Sequence, residues 1–426
     1  MTRQRIFAAI AAAAVFMSPA AVLASNCNGT STGMIPLADL GAGLYQGFQG
    51  GLYAGGSNHR PDAHNAAGVG IANSIVPLDT LGNPDPSNGR IVLISIGMSN
   101  ATQEFSAFVP KATADPLKNP RVVAIDCAEG GQATNDIRYP DAPYWDFVAT
   151  RLRTHGSAPL QAQVVWLKEA RRGPTEGFPA AADSLRNDLS TIVRLIKDKL
   201  PNVRLCYFTS RIYAGYASSL LNPEPYAYES GFSVKWLVDA QVNGAASLNY
   251  DPNAGPIEAP WLSWGPYLWA DGLVGRSDSL KWHCDDFQTD GTHPSTSGRE
   301  LVADSLLRFF RADETTKPWY LSGQLSVSGP PLGGEFRLAL SPNPARGEVA
   351  FSFTPETQRE WRLEILDASG RRVRELARGV GGPGAVSLRW DGRDATGAQV
   401  RSGIFWVRVT SGERQESRRF TFVRGG

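Results

Sequence analysis

Net charge is almost absent from this chain: 42 Lys and Arg face 41 Asp and Glu over 426 residues, leaving +1 at pH 7. That balance gives no bulk attraction to nucleic acid or to an anionic membrane, so neither is expected as a partner. Histidine is scarce, with five copies, and cysteine has four. His283 sits in "KWHCDDF" beside Cys284, Asp285 and Asp286, and His59 and His64 sit in "SNHRPDAHN". The first run lacks the paired spacing of a zinc site, and the second could ligate a metal but is not read that way, so no metal and no cofactor is expected. His59 and His64 are read as loop residues that line or border a site. Long apolar runs are missing beyond the first 25 residues, which predicts no transmembrane segment.

The first 25 residues are a different matter. "MTRQR" is basic, "IFAAIAAAAVFM" is apolar and "AVLAS" ends in small residues. This is the pattern of a secretory signal peptide over 1–25, cut after Ala24 or Ser25. The expected location is therefore secreted, periplasmic or cell-surface in a bacterium. Asn26 stands where a lipoprotein signal requires Gly or Ala, so Cys27 is not expected to carry lipid. In an exported chain Cys27, Cys127, Cys206 and Cys284 can pair, and the sequence does not choose among the three full pairings. Cys206, inside "VRLCYFTS", reads as a buried free thiol. Cys127 and Cys284 lie near the candidate site and are the first pair to test.

Residues 90–313 alternate strands with helices. "RIVLISI" (90–96), "RVVAI" (121–125), "QVVWL" (163–167) and "VRLCYFT" (203–209) are unbroken apolar runs, as in parallel sheets covered on both faces. Leu185, Leu189, Ile192 and Ile196 recur at helical spacing, and "STSGRELVADSLLRFFRAD" (295–313) is a second amphipathic helix behind serine caps. The prediction is an α/β fold, a three-layer α/β/α flavodoxin-like parallel sheet. Residues 26–89 read as an extended lead-in packed on it. Residues 314–335 read as a linker. Residues 336–424 carry short alternating runs between turn signals, which predicts a small all-β sandwich of roughly seven strands. There "SPNPARGEVAFSF", "LEILDASGRRVREL" and "RWDGRDATGAQVRSGIFWVRV" resemble the Ig-like domain of flagellar hook-capping proteins. The resemblance implies no chemistry. It implies a spacer, a cell-surface attachment unit or an export-related tail, and the sequence does not choose among them.

Three segments fall where open α/β sheets place ligands, at the C-terminal ends of strands or just before the last helix. They are Gly97-Met98-Ser99-Asn100, "DCAEGGQAT" (126–134) and "TDGTHPSTSGRE" (289–300). A serine nucleophile needs a base, and the base needs an orienting carboxylate. Asp290 and His293 form a D-x-x-H pair on one loop, which suits both roles. In this order the three segments resemble the SGNH (GDSL-like) hydrolase superfamily, with "GMSN" nearest the "GQSN" variant of carbohydrate O-acetylesterases. The resemblance implies an SGNH hydrolase fold and an exported serine esterase acting on O-acyl, above all O-acetyl, esters of carbohydrate. It makes Ser99 the nucleophile, His293 the base and Asp290 its orienter, with the N–H groups of Ser99 and Gly131 holding the oxyanion. The third block departs from the pattern. "VVWLKEARRG" (164–173) keeps Trp166, but Lys168 and Glu169 match neither form of the block. Two readings stand: Lys168 as a cationic oxyanion donor, with an ionised Glu169 opposing it, or a solvated Lys/Glu pair.

Two later runs are ambiguous. Trp261, Trp264, Tyr267 and Trp269 in "PWLSWGPYLWADG" either form a stacking surface for sugars or pack an insertion onto the core, and packing is favoured. "PYAYESGFSVKWLVDAQVNG" (225–244) reads as an insertion helix. Both runs lie where a substrate-shaping lid is expected. The odd "WLKEA" segment also admits a different class of function, a non-catalytic surface or carbohydrate-binding protein on a degenerate hydrolase scaffold.

Overall fold

The computed structural model describes residues 25–322, 338–341, 343–356, 358–368, 370–382, 386–412 and 414–424. Apart from Ser25, the expected signal peptide lies outside the described residues, as does most of the expected linker. The described residues form two compact units, divided between Ser326 and Val327. Among them no helix is long and apolar enough to cross a membrane.

The first unit is built on five parallel strands: β1 (Ile91–Gly97), β2 (Val122–Ile125), β3 (Ala162–Lys168), β4 (Leu205–Phe208) and β5 (Trp261–Trp264). Their order is β2-β1-β3-β4-β5. Every residue of β1 and β3 is buried, because helices cover both faces. The helices are α1 (Asp62–Asn73), α2 (Ser99–Thr113), α3 (Pro143–Thr154), α4 (Ala180–Lys199), α5 (Tyr226–Val242) and α6 (Thr296–Ala312). α2 packs against α6, and α4 against α5. The chain leaves β1 toward β2 on one side and returns to β3 on the other. That reversal opens a crevice at the C-terminal ends of β1 and β3, where Ser99 sits.

The second unit is a sandwich of eight short strands: β6 (Leu338–Ser341), β7 (Ala345–Arg346), β8 (Val349–Phe353), β9 (Glu360–Asp367), β10 (Arg372–Val380), β11 (Val386–Trp390), β12 (Gly403–Ser411) and β13 (Arg414–Val423). One sheet has the order β11-β8-β6 and the other β10-β9-β12-β13-β7. Phe351, Leu363, Val407, Trp390 and Phe420 fill the space between them.

Four expectations are corrected. The lead-in contains helix α1, whose Gly68 lies so close to Trp261 that a β-carbon there would fall 2.3 Å from the indole. His64 on α1 is buried, stacks on Trp261 and bonds the Leu262 carbonyl, so it borders no site. The linker does not begin at 314: Trp319 and Tyr320 are fully buried in the first unit's core. The aromatic run is no insertion or lid: it supplies β5 itself, and Trp261, Trp264, Tyr267 and Trp269 are all buried, as the favoured packing reading has it.

Cys284 pairs with Cys27, not with Cys127. Cys127 and Cys206 are free and buried. Cys127 is enclosed at the end of β2, its N–H donating to Ser95 and its carbonyl accepting from Tyr144. The disulfide straps the leading segment onto the loop that precedes Asp290. The same strap is held by Asn26 N–H to the Tyr216 carbonyl and by Tyr213 Oη to the Gly29 carbonyl. The bond closes a separation of 257 residues. Replacing both Cys27 and Cys284 with Ser is expected to cost about 2–5 kcal/mol in chemical denaturation.

Glu224, just before α5, is half-buried and accepts hydrogen bonds from Trp269 Nε1, Ala214 N–H and Tyr228 N–H. Burial dominates and raises its carboxyl from 4.5 to about 7. Below about pH 4.5 folded and unfolded chains both hold this proton; between there and about 7 only the folded chain does. Stability therefore falls as pH rises through that window. Glu224→Gln removes the titration, so its stability relative to wild type is expected to rise by about 2 kcal/mol between pH 5 and pH 8 in urea melts.

Candidate active site

The turn from β1 into α2 sets Ser99 in place. Gly97 closes the strand under the Lys168 carbonyl, where a β-carbon would fall 2.2 Å from that oxygen. Only glycine permits so close an approach. Ser99 is the first residue of α2, with Met98 as its N-cap. Its backbone N–H is thus one of the orphan donors at a helix N-terminus, where the aligned peptides place partial positive charge. Ser99 is half-buried, with its hydroxyl facing the loop before α6.

That loop is built to present His293. Asp290 Oδ1 accepts the backbone N–H groups of Thr292 and His293, at 2.9 and 3.0 Å. Its Oδ2 lies 2.5 Å from His293 Nδ1. Burial works against the Asp290 charge, but the bonds from the His293 ring and from these two N–H groups hold its carboxyl below the ordinary value. The other ring nitrogen, His293 Nε2, lies 2.8 Å from Ser99 Oγ. Asn100, fully buried beside the serine, donates from Nδ2 to the Thr292 carbonyl at 3.0 Å. It ties the Ser99 turn to the histidine's loop. The sequence offered Asn100 only as a mark of resemblance, because a tie between residues 192 apart leaves no local signal.

Gly131 arrives on the loop after β2. A β-carbon on Gly130 would lie 3.8 Å from the Ser99 β-carbon, so the peptide that carries the Gly131 N–H borders the serine. Among the described residues, neither the Ser99 nor the Gly131 N–H meets a protein acceptor.

Lys168 does not join them. Its ammonium lies 2.6 and 2.7 Å from the two oxygens of Glu104 on α2, and both side chains are wholly enclosed. Burial pushes Lys168 down and Glu104 up against their mutual attraction. The oxyanion-donor expectation for Lys168 is corrected, and so is the solvated pair. Glu169 is also buried, and burial raises its carboxyl well above the usual range, favouring the neutral acid. The negative charge expected to oppose an oxyanion is suppressed.

The segment contributes a residue that the sequence reading missed. Arg172 Nη2 donates to the Gly131 carbonyl at 2.5 Å and to Asp136 Oδ2 at 2.7 Å. Asn135 brackets the Arg172 backbone, accepting its N–H and donating to its carbonyl. Thr134 N–H closes the seam on the Ala170 carbonyl. "WLKEARRG" therefore supports the Gly131 turn from outside instead of supplying a donor of its own.

Residues 341–415 match the family model described as the FlgD Ig-like domain, in agreement with the module expected there. No curated protein matches the chain. A GDSL-like lipase from Bacteroides thetaiotaomicron is 11% identical, with 58% of this chain and 96% of that one covered, at a TM-score of 0.29. The periplasmic domain of a Salmonella Paratyphi A lipopolysaccharide acetyltransferase is 16% identical, covering 59% and 97%, at 0.29. PorZ, a surface component of the type-IX secretion system of Porphyromonas gingivalis, is 24% identical over 20% of this chain, at 0.16. The matched segments span 11% of PorZ and 9% of PorU from the same organism.

If Arg172 orients the Gly131 peptide, Arg172→Ala is expected to slow labelling of Ser99 by a fluorophosphonate about 10-fold without changing Tm, and Arg172→Lys to restore part of the rate.

Proposed function

We propose that this chain is an exported serine esterase that removes O-acyl groups, acetyl foremost, from carbohydrate. The observation that carries the reading is the continuous line Ser99 Oγ–His293 Nε2 (2.8 Å) and His293 Nδ1–Asp290 Oδ2 (2.5 Å), beside two N–H groups without protein acceptors. His293 takes the Ser99 proton as Oγ attacks the acyl carbon. The tetrahedral oxyanion rests on the N–H groups of Ser99 and Gly131, each such donor contributing about 2.7–4 kcal/mol in comparable sites. Collapse expels the sugar alcohol, which leaves with the proton from His293. Water, deprotonated by the same imidazole, then attacks the acyl-enzyme and releases the acid. Asp290 stays ionised throughout and holds the ring in the tautomer that leaves Nε2 free to accept.

The preference for acetyl and for carbohydrate is supported by the likeness of "GMSN" to the acetylesterase variant. The export reading is supported by the leading segment and by the Cys27–Cys284 disulfide, a bond typical of oxidising compartments. The Ig-like unit is assigned no part in the chemistry; attachment to the cell surface is the role proposed for it.

Wild type is expected to hydrolyse p-nitrophenyl acetate and to release acetate from acetylated xylan. Ser99→Ala and His293→Ala should each lower kcat/KM by at least about 10³-fold with Tm retained. A wild-type chain inactive on both substrates, with Ser99 unlabelled by a fluorophosphonate, would instead favour the non-catalytic binding protein.

A further inference from the structure

The five-stranded sheet of the second unit has a face that its own core leaves uncovered. On β12, Phe405, Val407 and Val409 point into the sandwich while Ile404, Trp406 and Arg408 alternate outward. Ile404 and Trp406 are 47% and 38% exposed. The strand register carries one row across this face: Arg372 on β10 opposite Leu366 on β9, Leu366 opposite Trp406 on β12, and Trp406 opposite Arg419 on β13. Partners in an antiparallel sheet share a face, about 4.8 Å apart from strand to strand. Arg419 is thus one strand from the indole and Arg372 two strands away on the other side.

The row beside it adds positive charge. Glu364 lies among Arg362, Arg372 and Arg408, at 3.9, 3.3 and 2.9 Å, and Glu375 lies 3.7 Å from Arg372 and 3.2 Å from Arg378. Burial opposes the Glu364 charge, but the Arg408 and Arg372 bonds keep it ionised by lowering its carboxyl. Four guanidiniums around two carboxylates leave a surplus, and Arg419 meets no carboxylate among the described residues. The surplus belongs to the whole unit. Residues 338–424 hold 15 arginines, no lysine and 10 carboxylates, in a chain whose total charge is only +1. Arginine in place of lysine favours planar, bidentate contact with carboxylates.

We propose that this face binds an acidic polysaccharide, a chain of carboxylated sugars. One ring lies with its apolar side on Trp406, and carboxylates of the neighbouring sugars engage Arg419 and Arg372. The repeat of a sugar chain is on the order of one strand spacing, so successive units meet the successive positions of the row. A single-stranded nucleic acid fits less well, because it is held by stacking successive bases on several aromatics and this row has one. The choice of a glycan rests on the carbohydrate reading above, but the binding itself needs no catalysis.

The test uses the full chain carrying Ser99→Ala, titrated with polygalacturonate and, separately, with dextran and an oligothymidylate. Polygalacturonate is expected to bind at least about 10-fold more tightly than either control, more weakly as salt rises. Trp406→Ala and Arg419→Ala should each weaken it about 5-fold or more, and Trp406→Phe should stay within about twofold. Arg389→Ala, on the other sheet, should change nothing. The proposal is overturned if polygalacturonate does not bind, if the oligothymidylate binds as tightly, or if Trp406→Ala binds like its parent while Trp406→Phe is folded. Because Ser99 is absent throughout, none of these outcomes bears on the esterase reading, and an inactive wild type leaves this result standing.

Discussion

Lys168 reaches from the last position of β3 to Glu104, one turn and a half into α2 from Ser99. Its own carbonyl closes over Gly97 at the end of β1. A single residue thus joins two adjacent strands and the helix that carries Ser99. A buried pair of this kind contributes little net stability, since desolvation offsets most of the attraction, but loss of one partner leaves the other charge stranded. Its consequence is positional. The serine's turn cannot shift relative to the sheet without breaking a salt bridge that water does not reach. Every other part of the candidate site, from the Asp290 loop to the Gly131 turn, is arranged around that fixed point.

The parts of the fold that were legible in the sequence are those whose physics is local. β1 through β4 read as apolar runs because both of their faces are covered. α4 and α6 read as helices because one face is buried and the other wet. The Ser99, Asp290 and His293 positions were legible because loops at strand ends announce themselves through Gly, Asp and Ser. What escaped was contact between distant segments. α1 buries Ala72, Gly68 and His64, a face of small and polar residues that gives no strong apolar stripe. β5 was hidden because its tryptophans read as an insertion packed on the core when their cover, α1 and α5, lay elsewhere in the chain. The partner of Cys284 is 257 residues away, and nothing near either cysteine marks it.

The third block shows how the two levels diverge. In sequence, Lys168 and Glu169 look like charges at a strand end, and charge there suggests either catalysis or solvent. In the fold both are enclosed, one paired and the other held toward its neutral form. The residue that touches the site's periphery is Arg172, four positions on, and it works through the Gly131 carbonyl. Here the charge that looked like a donor is paired elsewhere, and a brace holds the Gly131 turn instead. Periodicity cannot reveal that exchange, because it depends on the loop after β2 lying against the loop after β3.

The strap formed by Cys27 and Cys284 also has a mechanical meaning. The loop carrying Asp290 and His293 is closed at its base where Phe287 pairs with Pro294 and Ser295 N–H meets the Asp286 carbonyl. Cys284 stands two residues before that closure. Tension applied at the leading end of the chain is therefore carried through one covalent bond to the base of the histidine loop, bypassing the sheet. The first described residues and the base of the Asp290–His293 loop behave as one piece, and a tether placed at the front of this chain would pull on that loop before it pulled on the sheet.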